Sequence, residues 1–337
     1  PAVTSTALDV LAIGNAIVDV LSRTEEDFLS AHGMAKGGMM LIDEAQAEKV
    51  YAAMGPGTEA SGGSAANTAA GIASLGGKAG FIGKVKADGL GTVFGHDIRA
   101  AGLAYTTPAA SDGPSTARCL ILVTADGERT MNTYLGAAQN LTAAEIDPAM
   151  VESAAVTYLE GYLWDPPPAK EAFLAAAKIA HGAGRKVALT LSDAFCVDRY
   201  RAEFLDLIRS GTVDLVFCNE AELKSLYETA DFDAGIVQLR RDAKEAVVTR
   251  SEKGASFITA GAVVSVPAQS VERVVDTTGA GDLFAAGFLA GHARGLDPAT
   301  SLRLGALAAA EIISQMGARP QRRLLDLDAP ELLLLAP

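Results

Sequence analysis

Ala155-Val-Thr-Tyr-Leu-Glu-Gly-Tyr-Leu163 is an apolar run that Asp165-Pro-Pro-Pro168 interrupts. Ala169-Lys-Glu-Ala-Phe-Leu-Ala-Ala-Ala-Lys-Ile-Ala-His-Gly182 then carries apolar residues at helical spacing, and Lys186-Val-Ala-Leu-Thr-Leu191 is a second apolar run. The order is strand, turn, helix, strand. Working outward, Val213 to Cys218 reads as a strand, Glu220 to Tyr227 as a helix and Ala246-Val-Val248 as part of a further strand. Parallel strands need crossover helices, and strands covered on both faces are continuously apolar, as Leu215-Val-Phe217 is. The expected fold is therefore α/β, a doubly wound and mainly parallel sheet flanked by helices.

Two stretches break this rhythm. Gly14 to about Gly57, and Tyr105 to Gly136, read as strands without helices; in the second, Thr116 to Thr124 and Glu128 to Tyr134 flank the turn Ala125-Asp-Gly127 as a hairpin. Pairing of these insertions would make a small β-sheet lid over the larger domain. The expected division is thus a large domain of residues 1–13, 58–104 and 137–337, and a discontinuous lid of residues 14–57 and 105–136. Leu283 to Arg294 and Pro298 to Met316 read as two closely packed helices rich in Ala and Gly.

The chain has 337 residues, 49% of them apolar and 34 of them glycine, which suits a globular enzyme and excludes a disordered one. Its net charge of -13 disfavours a nucleic-acid partner. Cys119, Cys196 and Cys218 are odd in number and lie far apart, so they read as reduced thiols rather than a disulfide framework or zinc site. No apolar stretch approaches the roughly 18 residues of a membrane helix, and no leader is recognisable, so a cytoplasmic location is expected.

Thr277-Thr-Gly-Ala-Gly-Asp282 follows Val274-Val275 and opens a helix in which Phe284 and Phe288 share a face. The first N–H groups of a helix lack internal partners and sit at the positive end of its dipole, so Gly279, Ala280 and Gly281 can receive the charge of a phosphoryl group. Asp282 beside them can take the proton of an attacking hydroxyl, or can merely cap the helix; these residues alone leave both readings standing. Gly62-Gly-Ser-Ala-Ala-Asn67 opens another helix, where paired glycines admit a ligand close to the backbone and Asn67 can bond two hydroxyls; a simple N-cap loop is the alternative. In Gly14-Asn15-Ala-Ile-Val-Asp19 the aspartate sits among apolar neighbours and must be bonded or solvated. Phe217-Cys-Asn219-Glu-Ala-Glu222 lies at a strand's C-terminal end, where open α/β sheets bind ligands, although a helix cap explains it equally. Val247-Val-Thr249-Arg-Ser251-Glu-Lys-Gly254 leaves a strand into a tight turn. A P-loop is absent, since Gly77-Lys78 and Gly83-Lys84 lack its flanking residues, and no Gly-x-Gly-x-x-Gly follows a strand.

Asp276 to Asp282 and Gly62 to Asn67 resemble the two signatures of the ribokinase-like, PfkB-type family of carbohydrate and nucleoside kinases, and the resemblance runs from Val10 to about Pro320. It implies ATP-dependent transfer of the γ-phosphoryl to a hydroxyl, with Asp282 as base and Gly279, Ala280 and Gly281 as anion hole. By the same resemblance Asp19, Gly62, Gly63 and Asn67 hold acceptor hydroxyls, and Asn15 matches an asparagine typical of the adenosine kinase branch. Asn219 and Glu222 match an Asn-x-x-Glu motif that orders phosphate and water-bound Mg²⁺, and Thr249, Ser251 and Gly254 match a segment for the phosphates of ATP. Asp276 and Thr278 correspond to positions adjoining a monovalent-cation site, which makes potassium stimulation an expectation.

Glu128 to Ala138, Tyr158 to Tyr162 and Thr190 to Phe195 look more like adenosine kinases than ribokinases or phosphofructokinases. They imply a nucleoside acceptor, adenosine first, converted to AMP. Tyr162, Trp164, Met39 and Met40 are candidates for an apolar clamp on a base, with core packing as the alternative. The small residues between Ser64 and Asn67 are those of sugar kinases, which keeps a ribose or fructose kinase as the second reading. A non-catalytic nucleotide-binding protein is disfavoured by the intact Asp282. Monomer and homodimer are both compatible with the lid pattern.

Overall fold

The computed structural model describes residues 7–335; the outermost residues of the expected large domain, 1–6 and 336–337, lie outside them. Six parallel strands form the larger sheet in the spatial order Ala79–Ile82, Leu8–Ile13, Ala154–Glu160, Lys186–Thr190, Leu215–Asn219, Glu245–Thr249. Antiparallel Ala255–Ile258 and Val263–Val266 extend one edge. Successive strand residues serve two separate cores. Val10, Ala12, Val156, Tyr158 and Phe217 pack on one side, and Leu11, Ile13, Leu159, Val216 and Cys218 on the other. Both faces are dry, which is why these strands are apolar without alternation.

Helices Ser64–Ser74, Gly89–Ala100, Ala280–His292 and Pro298–Ile313 cover the first face; Pro167–Gly182, Ala194–Arg209, Glu220–Leu226 and Phe232–Asp242 cover the second. Pro167–Gly182 starts on its prolines and buries Ala169, Ala172, Phe173, Ala176, Ala177 and Ala180 at helical spacing. The apolar run at residues 155–163 is not all strand. Its strand ends at Glu160, and Gly161–Trp164 turns into a short 3₁₀ helix that buries Leu163 and Trp164.

Helices Ala280–His292 and Pro298–Ile313 touch backbone to backbone, since a Cβ on Gly287 would lie 2.3 Å from the Leu304 carbonyl oxygen. Gly→Ala inside a helix ordinarily stabilises by about 1 kcal/mol. Here overpacking reverses the sign, and Gly287→Ala is expected to cost about 1–3 kcal/mol in denaturant melts. A neutral or stabilising outcome would show that the helix pair can separate freely.

The smaller sheet has the order Met39–Leu41, Arg129–Tyr134, Ala117–Val123, Ile17–Arg23, Gly57–Gly62. It joins the two insertions, with two differences from the sequence reading. The first insertion contains helices Glu26–Ala31 and Glu44–Ala53, and the strand Gly57–Gly62 carries the small sheet past residue 57, where the insertion was expected to end. The helices go unnoticed because they bury so little, Leu29 in one and Ala47 and Val50 in the other. They pack with Val18, Val20, Leu120 and Leu122 on one face of the sheet. Ile17, Cys119, Ile121 and Met131 occupy the opposite face, turned toward the C-terminal ends of the parallel strands.

Candidate active site

A cavity of about 580 Å³ lies between the small sheet and those strand ends. Gly279 caps the helix Ala280–His292 with φ +79°, and a Cβ there would stand 2.8 Å from that of Ala318, so only glycine makes the turn. No side chain caps this helix start. Gly279, Ala280, Gly281 and Thr278 all line the cavity. Of the three expected amides, Ala280 N–H already donates to the Thr277 carbonyl at 3.2 Å.

Asp282, the third residue of the helix, faces the same cavity. Its Oδ1 accepts from Ser64 Oγ at 2.6 Å and its Oδ2 from Asn67 Nδ2 at 3.1 Å. Burial raises its carboxyl above the ordinary range, while Ser64, Asn67 and the positive charge of Arg319 pull it back.

The second carboxylate is Asp19. On strand Ile17–Arg23 it shares the cavity-facing side with Ile17, and among the described residues no side chain or amide donates to it. Burial pushes it up to about 6, against Arg319 and Arg129, with Asp282 adding repulsion. Gly62 is glycine for its sake: a Cβ there would lie 2.4 Å from Asp19 Oδ2. Gly63, at φ +97°, would set a Cβ 2.2 Å from the Asn15 carbonyl oxygen. The structure thus brings Asn15, Asp19, Gly63 and Asn67 into the cavity wall, with Gly62 behind them.

Glu160, Ser64 and Arg319 escaped the sequence reading. Glu160 is 1% exposed and accepts from Asn15 Nδ2 at 2.7 Å, Asn15 N at 3.3 Å and Ala65 N at 2.9 Å, tying the loop at Asn15 to the start of helix Ser64–Ser74. Burial raises it to about 7. The signal was available, because an acid among apolar neighbours is what singled out Asp19, and Glu160 stands in the apolar run at residues 155–163. Arg319 donates to Asn67 Oδ1 at 2.8 Å and to Ser61 Oγ at 3.1 Å, from a segment without any flanking motif.

At the other end, Asn219 and Glu222 form a reciprocal capping box and both line the cavity. Glu222 is 4% exposed and held near 7 by burial, with Asp193 adding to the rise. Thr249 reaches the cavity from its strand end, whereas Ser251 and Gly254 do not line it. Gly254 instead allows close passage of Val266, whose carbonyl oxygen a Cβ would meet at 2.1 Å.

The potassium expectation meets an arrangement that does not fit it. Asp276 accepts from Thr278 N at 3.0 Å and Gly317 N at 2.8 Å, and forms an ion pair of 2.9 Å with Arg129 from the lid hairpin. The carboxylate's charge is already compensated by a guanidinium, and Asp276 does not reach the cavity. Of the clamp candidates, Trp164 is a core residue at 4% exposure that donates to Glu203, and Met40 lies outside the cavity. Met39 and Tyr162 line it, together with Phe195, which is 80% exposed.

A helix start and two carboxylates around one cavity, at the C-terminal end of a doubly wound sheet, are the parts of a group-transfer enzyme. The family profile described as pfkB family carbohydrate kinase matches residues 38–323, and the chain belongs to that family. It is a kinase, a phosphotransferase. It resembles the structure of a probable sugar kinase from Rhizobium etli CFN 42 at 54% identity and TM-score 0.88, over 95% of this chain and 97% of that one. The adenosine kinase from Sinorhizobium meliloti is similar at 54% identity and TM-score 0.87, over 94% and 97%. Fructokinase-1 of Oryza sativa subsp. japonica is 31% identical over 68% of this chain and 73% of its own length.

Proposed function

We propose that this kinase moves the γ-phosphoryl of ATP to a primary hydroxyl of a nucleoside, adenosine first. The observation that carries the reading is the pair Asp282 and Asp19: one carboxylate at an uncapped helix start, the other unbonded and open to the same cavity. Asp19, with Asn15, Gly63 and Asn67, would take the hydroxyls of the pentose. Asp282 would accept the proton of the attacking hydroxyl, and the Gly279 to Gly281 backbone would face the transferred group.

The remaining wall is what favours a nucleoside over a free sugar. Ile17, Met39, Leu41, Cys119, Ile121 and Met131 bring apolar surface from the small sheet, opposite the rings of Tyr162 and Phe195. A free sugar has no apolar body to cover that surface, whereas a purine does. The small sheet would act as a lid that excludes water during transfer.

Among the described residues no cluster of three or more His, Cys, Asp or Glu could hold a metal. Magnesium would come with the triphosphate, with Glu222 acting through ordered water and Asn219 holding Glu222 in place. Magnesium supplies charge neutralisation on the phosphates. Thr249 is the favoured phosphate contact among the three expected, and the compensated Asp276 gives no support for potassium dependence. The three buried free thiols agree with a reducing cytoplasmic setting.

The test is ADP release over a panel of adenosine, other nucleosides, ribose, fructose and fructose phosphates. Highest kcat/KM for a nucleoside is expected. Activity confined to sugars would overturn the acceptor and leave the base assignment standing.

A further inference from the structure

Arg319 is a cation whose own bonds go to neutral groups. Its Nε donates to Asn67 Oδ1 at 2.8 Å and its Nη2 to Ser61 Oγ at 3.1 Å; Ser61 in turn donates through N and Oγ to Asp97 Oδ2, at 2.7 and 2.6 Å. Because Asn67 Oδ1 is taken by the guanidinium, its Nδ2 is the end presented to Asp282, and it lies 3.1 Å from Oδ2. A chain of hydrogen bonds therefore links Asp97 on helix Gly89–Ala100, which accepts from Ser61, through Arg319 to the Asn67 amide that donates to the proposed base.

The charge matters as much as the bonds. Asp282 adds to the rise of Asp19 across the cavity, and two neighbouring carboxylates in a partly buried site stay ionised together only with a positive partner nearby. Arg319 acts on both, and on Asp97. Its surroundings hold Asp19 from the lid strand, Asp282 from its helix, Asp97 from the helix behind Ser61, Arg129 from the lid hairpin acting on Asp19, and Glu160 and Tyr158, which both feel Asp282. Acids outnumber bases there, so losing one arginine changes the balance for every group.

We infer that Arg319 is a positioning residue for phosphoryl transfer: it orients the Asn67 amide onto Asp282 and supplies the positive charge that Asp19 and Asp282 share. The inference rests on the reading of Asp282 as the base. It separates into a bonding part and a charge part, which different variants remove.

The experiment is the pH dependence of kcat and of acceptor KM for wild type, Arg319→Lys, Arg319→Gln and Asp97→Asn, with Asp282→Asn assayed in parallel. Arg319 holds the carboxyls down, so its loss lets them rise. In Arg319→Gln the acid limb should move to higher pH by about one unit. Arg319→Lys keeps the charge and loses the fork, so the limb should stay within about 0.3 unit while acceptor KM rises roughly tenfold. Asp97→Asn keeps the arginine and removes an acid, so its limb should move slightly the other way; this variant also decides the matter if Arg319→Gln fails to fold. An unmoved limb in both Arg319→Gln and Asp97→Asn, or a limb displaced equally in Arg319→Lys and Arg319→Gln, overturns the inference. Near-normal turnover by Asp282→Asn would instead remove the base assignment beneath it.

Discussion

Asp282→Asn is expected to lower kcat by about 10²–10⁴-fold while leaving the acceptor's KM within a few-fold of wild type. Asparagine has nearly the same shape, and the surroundings accept it without an unpaired group. With its Oδ1 toward Asn67 Nδ2 and its amide toward Ser64, it keeps both contacts, because the Ser64 hydroxyl can turn from donor to acceptor. Asn67 cannot flip to compensate, since Arg319 holds its oxygen. What the substitution removes is basicity alone. Steady-state kinetics with the best acceptor from the panel, beside calorimetric binding of the same acceptor, measures the split. Turnover within tenfold of wild type would return Asp282 to the role of a helix cap.

The fold was legible wherever burial on both faces removed the need for polar residues. Leu11 to Ile13 and Ala246 to Val248 are apolar because each residue enters one core or the other. Gly57–Gly62 was not legible, because apart from Thr58 its Gly, Glu, Ala and Ser residues do not favour strands and the segment does not alternate; its pairing with Ile17–Arg23 imposes the conformation. Residues 161–163 read as strand because 3₁₀ and strand segments bury equally apolar side chains, and periodicity over three residues cannot separate them. In the site, Asp282 and Asn67 stand in local motifs that single them out from the sequence. Arg319 lies 252 and 258 residues from its two partners, and Asp276 finds its countercharge on a lid hairpin; nothing in the neighbouring sequence records either contact.

Asp19→Ala is expected to act on binding where Asp282→Asn acts on rate. An ionised carboxylate receiving two hydroxyls makes two charge-assisted bonds of about 1.5–3 kcal/mol each, so their loss should raise the acceptor's KM roughly 100-fold or more. On the proposed reading the hydroxyls that Asp19 would hold are not the one that reacts, so kcat should fall much less. The same carboxylate predicts a pH dependence. Burial outweighs the attraction of Arg319 and Arg129 and lifts Asp19 to about 6, so it is ionised at neutral pH and takes up a proton as pH falls through that value. The protonated form turns one acceptor oxygen into a donor. Acceptor KM in the wild type should accordingly be flat above about pH 7 and rise toward tenfold per unit below about 6. In Asp19→Ala KM should be high throughout and lose this acid-side rise, leaving whatever Asp282 contributes to kcat. A wild-type KM that stays level from about pH 5 to 8, or an Asp19→Ala defect shared equally between KM and kcat, would mean that the acceptor is anchored elsewhere in the cavity.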